Sequence, residues 1–248
     1  MTQGSGAAPG EWFREWFGEA YLRLYPHRDE REAAQAVELY LTHAKIGPGR
    51  RVLDLACGAG RHLQVLLRER LAVYGMDLSA PLLHKALPDG RGRLTRGDMR
   101  KLPYRSGAFE GLVSFFTSFG YFMTPEEDRD VLSEARRVLA RGSWILLDYL
   151  NEQLVRSTLA PQDEQRVGDN LVRQRRWIEN EQVFKQIDVG APDGGVRTYH
   201  ERVRLYQPSS LKALFRECGF TPRLEFGHYD GSNFGSSSPR FILMATAE

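Results

Sequence analysis

Val52-Leu-Asp-Leu-Ala-Cys-Gly-Ala-Gly-Arg-His62 is the stretch on which the fold of this 248-residue chain turns. A hydrophobic strand ends at Asp54, a turn of small residues follows, and a helix opens at Arg61. Gly58 and Gly60 allow the backbone to pass close to a ligand where a side chain would collide. The helix start offers unpaired N–H groups to a negative or electron-rich group. A plain strand–helix turn has the same look, so its meaning depends on what surrounds it.

Downstream, short apolar strands alternate with helices. Strands are expected at residues 51–55, 72–76, 93–96, 111–116 and 143–149, and helices at 61–69, 79–87 and 124–140. Thr124 with Glu127 three residues on forms a capping box that opens the last of these helices. Nearly unbroken apolar strands alternating with helices make a parallel sheet covered on both faces. Ligands of such sheets bind beyond the carboxyl ends of the strands, where strand order reverses.

Upstream, Trp12, Phe13, Trp16, Phe17, Tyr21, Leu22 and Leu24 mark one face of a helix over residues 11–25, and a second helix is expected over 30–46. Their plain role is packing against the sheet. Residues 1–10 are small and polar and form an expected disordered tail. Residues 161–170 look like a loop. Three β-rich runs follow at 171–179, 182–189 and 196–206, the pattern of an antiparallel meander. A helix at 208–218 and strands at 222–229 and 240–246 close the chain. The expected organisation is therefore a Rossmann-like domain over 11–150 and 208–248 with N-terminal cap helices, and an inserted antiparallel β cap over 151–207.

Composition narrows the function. Lysine and arginine number 34 against 32 acids, a formal net charge of +2, too even for the basic footprint of a nucleic-acid binder. The cluster Arg173, Arg175 and Arg176 interleaves with acids and reads as a solvated face. No apolar run is long enough to span a bilayer, and no hydrophobic leader core stands at the N-terminus. Cys57 and Cys218 lack disulfide or metal spacing, so a reduced, cytoplasmic protein without a metal site is expected.

Three acids then stand at three successive strand ends. Asp54 precedes the glycine turn. Asp77 closes the next strand, seventeen residues beyond Gly60, where a carboxylate accepts hydrogen bonds from a ribose diol. Asp98 follows the third, placed to accept from an exocyclic amine while Leu78 and Met99 grip the purine faces. A nicotinamide fingerprint needs a small residue where Leu63 stands, and Asp54 would repel a pyrophosphate. Asp54 suits an ammonium instead. Ribose and ammonium without phosphate specify S-adenosyl-L-methionine, with S-adenosyl-L-homocysteine as the product.

With these motifs the chain resembles the class I S-adenosylmethionine-dependent methyltransferases, closely over residues 50–150. The resemblance implies a doubly wound, mostly parallel seven-stranded sheet. It implies that Asp54, Ala56, Cys57 and Gly58 surround the methionine part, Asp77 the ribose, and Asp98 with Met99 the adenine. Ala56 stands where the family usually has its first glycine, a departure expected only to tighten the turn. Phe115-Phe-Thr-Ser-Phe-Gly-Tyr121 looks like the segment that meets methionine and acceptor in small-molecule N-methyltransferases, nearest to the aminosugar dimethyltransferases. Phe115 and Phe116 thereby join the cofactor site. The N-terminal region of those enzymes covers the cofactor, which makes Tyr21 and Arg28 candidates, Arg28 for the methionine carboxylate.

Methyl transfer from a sulfonium is an in-line displacement that needs alignment more than a catalytic group. Tyr121, Tyr149, His200 and His228 lie near expected rim positions, with Tyr121 and His200 the preferred candidates for proton transfer. Asp148, at a strand end, has support of the cofactor loop as its plain role. A small acceptor is expected between Tyr121, Phe119, the meander and the N-terminal helices, in a monomer or homodimer. Two alternatives stay open: a protein or RNA methyltransferase, and a cofactor-binding regulator without turnover.

Overall fold

A computed structural model of the chain describes residues 10–25, 30–90, 93–191 and 194–248. The order of elements is α1 (Trp12–Trp16), α2 (Glu19–Leu24), α3 (Glu30–Ala44), β1 (Arg51–Leu55), α4 (Arg61–Arg68), β2 (Ala72–Asp77), α5 (Ala80–Gly90), β3 (Leu94–Arg96), β4 (Phe109–Ser114), α6 (Pro125–Val138) and β5 (Leu139–Leu150). There follow α7 (Glu152–Thr158), β6 (Gln162–Val167), β7 (Asn170–Glu179), β8 (Gln182–Gly190), β9 (Val196–Arg204), α8 (Pro208–Glu217), β10 (Phe220–Phe226) and β11 (Arg240–Ala247).

A seven-stranded sheet runs β10-β11-β5-β4-β1-β2-β3. The pairs β2/β3, β1/β2, β1/β4 and β4/β5 are parallel, whereas β11 is antiparallel to both its neighbours. β1 has β2 on one side and β4 on the other, so strand order reverses there and a crevice opens above its carboxyl end. The alternation of β1 divides the core. Leu53 and Leu55 pack with α6, α8 and the N-terminal aromatics, while Val52 packs with α3 and α4 on the opposite face. Gly75 of β2 is required by this packing, since a Cβ there would lie 2.5 Å from a Leu63 methyl.

Four expectations are corrected. The N-terminal aromatic stretch forms two short helices, because Gly18 is extended and interrupts it. The break exposes the Phe17 carbonyl, which accepts from Ser79 Oγ at 2.5 Å. The stretch from 162 to 167 is a strand, so the second sheet has four strands in the order β6-β7-β8-β9. Its sequence is polar because β6 is an edge strand, joined to β7 by the ladder and by Glu164–Arg173 and Asp163–Arg176 ion pairs of 2.6 and 2.8 Å. A helix not expected at all, α7, starts where Asn151 Oδ1 accepts from Gln153 N. Fourth, Ala56 does more than tighten its turn: its φ is +60°, a left-handed conformation that costs a residue with a Cβ.

No helix among the described residues is long and apolar enough to cross a membrane.

Candidate functional site

A cavity of about 530 Å³ lies over the carboxyl ends of β1 to β4, a volume in the range of small-molecule sites. α1, α2 and the break between them roof it with Phe13, Tyr21 and Phe17. Eleven residues singled out from the sequence meet there: Tyr21, Ala56, Cys57, Gly58, Asp77, Leu78, Asp98, Met99, Phe115, Phe116 and Tyr121. Arg28 lies outside the described residues.

The glycine loop and the acid after β2 are built as one unit. Asp77 Oδ2 accepts from Gly58 N and its Oδ1 from Ser79 N, each at 2.8 Å. The carboxylate is thereby fixed at the cavity wall with lone pairs to spare. Gly60 takes φ +81° at the N-cap of α4, and a Cβ would come within 2.9 Å of the Ala86 methyl. Its role is to close the loop against α5, and it does not line the cavity.

Asp54 is placed differently from expectation. It is 1% exposed, lies behind the loop and does not line the cavity, and its Oδ2 has no hydrogen-bond partner among the described residues. Burial, and next the charge of Asp77, push its carboxyl up to about 7. Burial also raises Asp77, and burial with these two acids raises the Cys57 thiol. Negative charge here lacks compensation, and a cationic ligand beside the loop would supply it.

Asp98 is held by a residue that the sequence reading passed over. Arg100 donates to both of its oxygens, with Nη2 to Oδ2 at 2.6 Å, and its own N–H adds a bond to Oδ1 at 2.9 Å. The spacing Asp98-Met-Arg100 was the available signal. Leu78 and Met99, half-buried beside it, supply apolar faces.

The turn after β4 forms the floor. Phe115 stacks on His62 at 4.3 Å between ring centroids. Phe116 has φ +61° and lies between two guanidinium groups, Arg61 at 5.3 Å and Arg240 at 5.1 Å. Asp148, wholly buried, accepts from Phe116 N at 2.6 Å and pairs with Arg240, while its carbonyl accepts from Thr117 N. It therefore braces the turn after β4.

The Tyr121 ring packs on Trp12 and Phe17 at 5.0 and 5.8 Å, and its hydroxyl donates to the Thr117 carbonyl. Phe119 is buried against Tyr149 and Tyr206 and stays out of the cavity. His200 is also excluded. On β9 its neighbours Tyr199 and Glu201 face the lid, where Glu201 accepts from Trp16 Nε1 at 2.5 Å. The period of two turns His200 to the other face, opposite Gln186. Tyr149 is buried with its hydroxyl on the Arg204 carbonyl, and His228 is an exposed partner of Asp230. No residue of the four-stranded sheet lines the cavity; the sheet buttresses the lid from behind through Glu201 and a Lys185–Tyr25 bond of 3.0 Å.

Residues 52–142 match the family described as a methyltransferase domain. A curated relative from Streptomyces venezuelae, a dTDP-3-amino-3,4,6-trideoxy-alpha-D-glucopyranose N,N-dimethyltransferase, is 26% identical over 220 residues, covering 84% of this chain and 90% of its own. A solved methyltransferase from Streptomyces caelestis superposes with a TM-score of 0.78 at 19% identity, over 93% of this chain and 97% of that one. An amino pentose methyltransferase from Micromonospora echinaspora, solved with S-adenosylmethionine bound, gives 0.64 at 23% identity, over 93% and 96%. The expected class I methyltransferase fold is borne out, together with the likeness to aminosugar N-methyltransferases. The residues present on the cavity wall fit the cofactor: a fixed carboxylate for a diol and a second for an amine.

Proposed function

We propose that this chain, through the methyltransferase domain of residues 52–142, transfers the methyl group of S-adenosylmethionine to a nitrogen of a small acceptor. The cofactor supplies an activated methyl group on a positively charged sulfur. In this reading Asp77 holds the ribose, Asp98 the exocyclic amine, and the loop from Ala56 to Gly58 the methionine part. The observation that carries the reading is the Asp77 carboxylate, pinned by Gly58 N and Ser79 N at the mouth of the reversal crevice.

The acceptor lies against Phe13, Phe17 and Tyr121 under the lid. Its nitrogen would take the methyl group by in-line displacement, with the bonding electron pair left on sulfur and the surplus proton passed to solvent. Alignment by the aromatic walls carries most of the acceleration, as effective molarities of about 10⁵ M and above allow. The Tyr121 hydroxyl already donates to Thr117, so the ring acts as a wall. An amino sugar joined to a nucleoside diphosphate, the acceptor class in the name of the Streptomyces venezuelae relative, is the first compound to try.

A roofed cavity favours a small acceptor over a protein or RNA, and a net charge of +2 favours none of the polyanions. We place the protein in the cytoplasm, where the unbridged Cys57 and Cys218 would stay reduced, as a monomer or a homodimer. Calorimetry with S-adenosylmethionine and S-adenosylhomocysteine tests the cofactor, and Asp77→Ala should abolish most of the affinity. Release of S-adenosylhomocysteine with small amines, but not with protein or RNA, tests the acceptor class. Binding without turnover on any acceptor would favour a regulator.

A further inference from the structure

Asp98, which the function above uses, reaches the cavity from a charged cluster whose other members that function does not use. Its Oδ1 accepts from Arg100 N at 2.9 Å and Nε at 3.1 Å, and its Oδ2 from Nη2 at 2.6 Å with Nε further off at 3.2 Å. Nε is shared between the two oxygens, so three donors meet a carboxylate with about four lone-pair sites, and capacity for one further donor is left. The guanidinium is itself held on its other sides. Nη1 donates to Glu127, the acid of the α6 capping box, and Nη2 lies 3.3 Å from Glu11 at the N-cap of α1. Its plane covers the Phe122 ring at 4.5 Å, and Phe122 lines the same cavity. Burial pushes the Asp98 carboxyl up, the Arg100 bonds outweigh it, and the group sits below its ordinary value.

An arginine fork orients a carboxylate as a lysine ammonium does not, because two parallel donors fix the carboxyl plane. We propose that Arg100 is a positioning residue for purine recognition: it locks Asp98, ionised, in one plane with a lone pair left to accept from the exocyclic amine of the cofactor. This rests on the S-adenosylmethionine reading and adds to it the residue that decides amine against carbonyl at the purine. A 6-oxo purine would present a carbonyl oxygen to a carboxylate that cannot donate. Without Arg100, the side chain of Asp98 is free to turn or to take a proton, and a protonated carboxyl donates to the carbonyl.

Dissociation constants for S-adenosylhomocysteine and its 6-oxo analogue, S-inosylhomocysteine, measured by calorimetry on the full chain, provide the test. Wild type should prefer the amine by about tenfold or more, the worth of one hydrogen bond to a charged group. In Arg100→Met the preference should fall to within about threefold, since the oriented charged acceptor is gone. Arg100→Lys, with charge but no fork, should lie between. A merely structural role would weaken both ligands together and leave the preference intact, which overturns the proposal. If Arg100→Met does not fold, Arg100→Lys decides, and an undiminished preference in it overturns the proposal equally. Wild type that binds both compounds alike removes Asp98 from purine recognition and the proposal with it. Wild type that binds neither instead overturns the cofactor reading itself.

Discussion

The carboxylate of Asp148 accepts the backbone N–H of Phe116 at 2.6 Å, across 32 positions of sequence. Phe116 and Thr117 both have positive φ, +61° and +54°, which residues with a Cβ hold only when surrounding contacts impose it. The imposition is visible. Arg240 and Tyr229 donate to the same carboxylate, and the Arg240 guanidinium covers the Phe116 ring. Strain in the cavity floor is thus maintained by a buried ion pair between β5 and β11.

Asp148→Ala should destabilise the protein by about 3–5 kcal/mol, because it leaves the Arg240 charge buried and unpaired. Urea unfolding measures this. The turn should relax in the same variant, and affinity for S-adenosylhomocysteine should drop well beyond what Asp148→Asn loses, since the amide still offers Phe116 an oxygen.

Ala56→Gly should stabilise the chain. A left-handed residue with a Cβ costs roughly 1–2 kcal/mol, and the extra unfolded-state freedom of glycine returns roughly 0.5–1 of that. A gain of about 0.5 kcal/mol in urea unfolding is expected. A loss would mean that the Ala56 methyl makes packing contacts worth more than the strain.

Asp54 predicts a pH dependence. Its folded value, about 7, stands above the ordinary carboxylate value of 3.8, so between those limits the folded state binds more protons than the unfolded. Stability therefore falls as pH rises from about 4 to about 7 and is flat above, on this group alone. Asp54→Asn should lose that slope and melt higher than wild type at pH 8. A cationic ligand favours the ionised form, so affinity for S-adenosylmethionine should climb between pH 6 and pH 8, and climb less in Asp54→Asn. A pH-independent affinity in wild type would mean that Asp54 does not sense the ligand.

Tyr121→Phe should lower kcat by less than about tenfold, because the lost hydroxyl bonds Thr117 and the ring wall remains. General-base catalysis contributes about 10²–10⁴-fold, so a fall of that size would make Tyr121 the base.

Trp16→Ala should cost about 3–5 kcal/mol, the usual penalty for emptying a buried indole site. Trp16 is fully buried between the lid and β9, bonded to Glu201 and packed on Tyr199. Hydrogen exchange should rise first in residues 12–24, ahead of the central strands.

Much of this protein is written locally. The strand–turn–helix of residues 51–68 and the acids at 77 and 98 follow from hydrophobic period, glycine content and position at strand ends, which depend on neighbours a few residues away. That was enough for the sheet, the crevice and eleven of the residues that line it. Tertiary structure decided the rest. β6 carries no apolar period because its pairing comes from the backbone of β7, and His200 faces away from Trp16 because the packing of Tyr199 and Glu201 against α1 assigns it the opposite face of β9. The hold of Arg100 on Asp98 is local, but its anchorage to Glu127 and Glu11 is not, and the grip of Asp148 on Phe116 joins β5 to the turn after β4. Period and composition report on which face of an element is buried. Which charged group meets which, and in what orientation, is fixed only when distant elements pack.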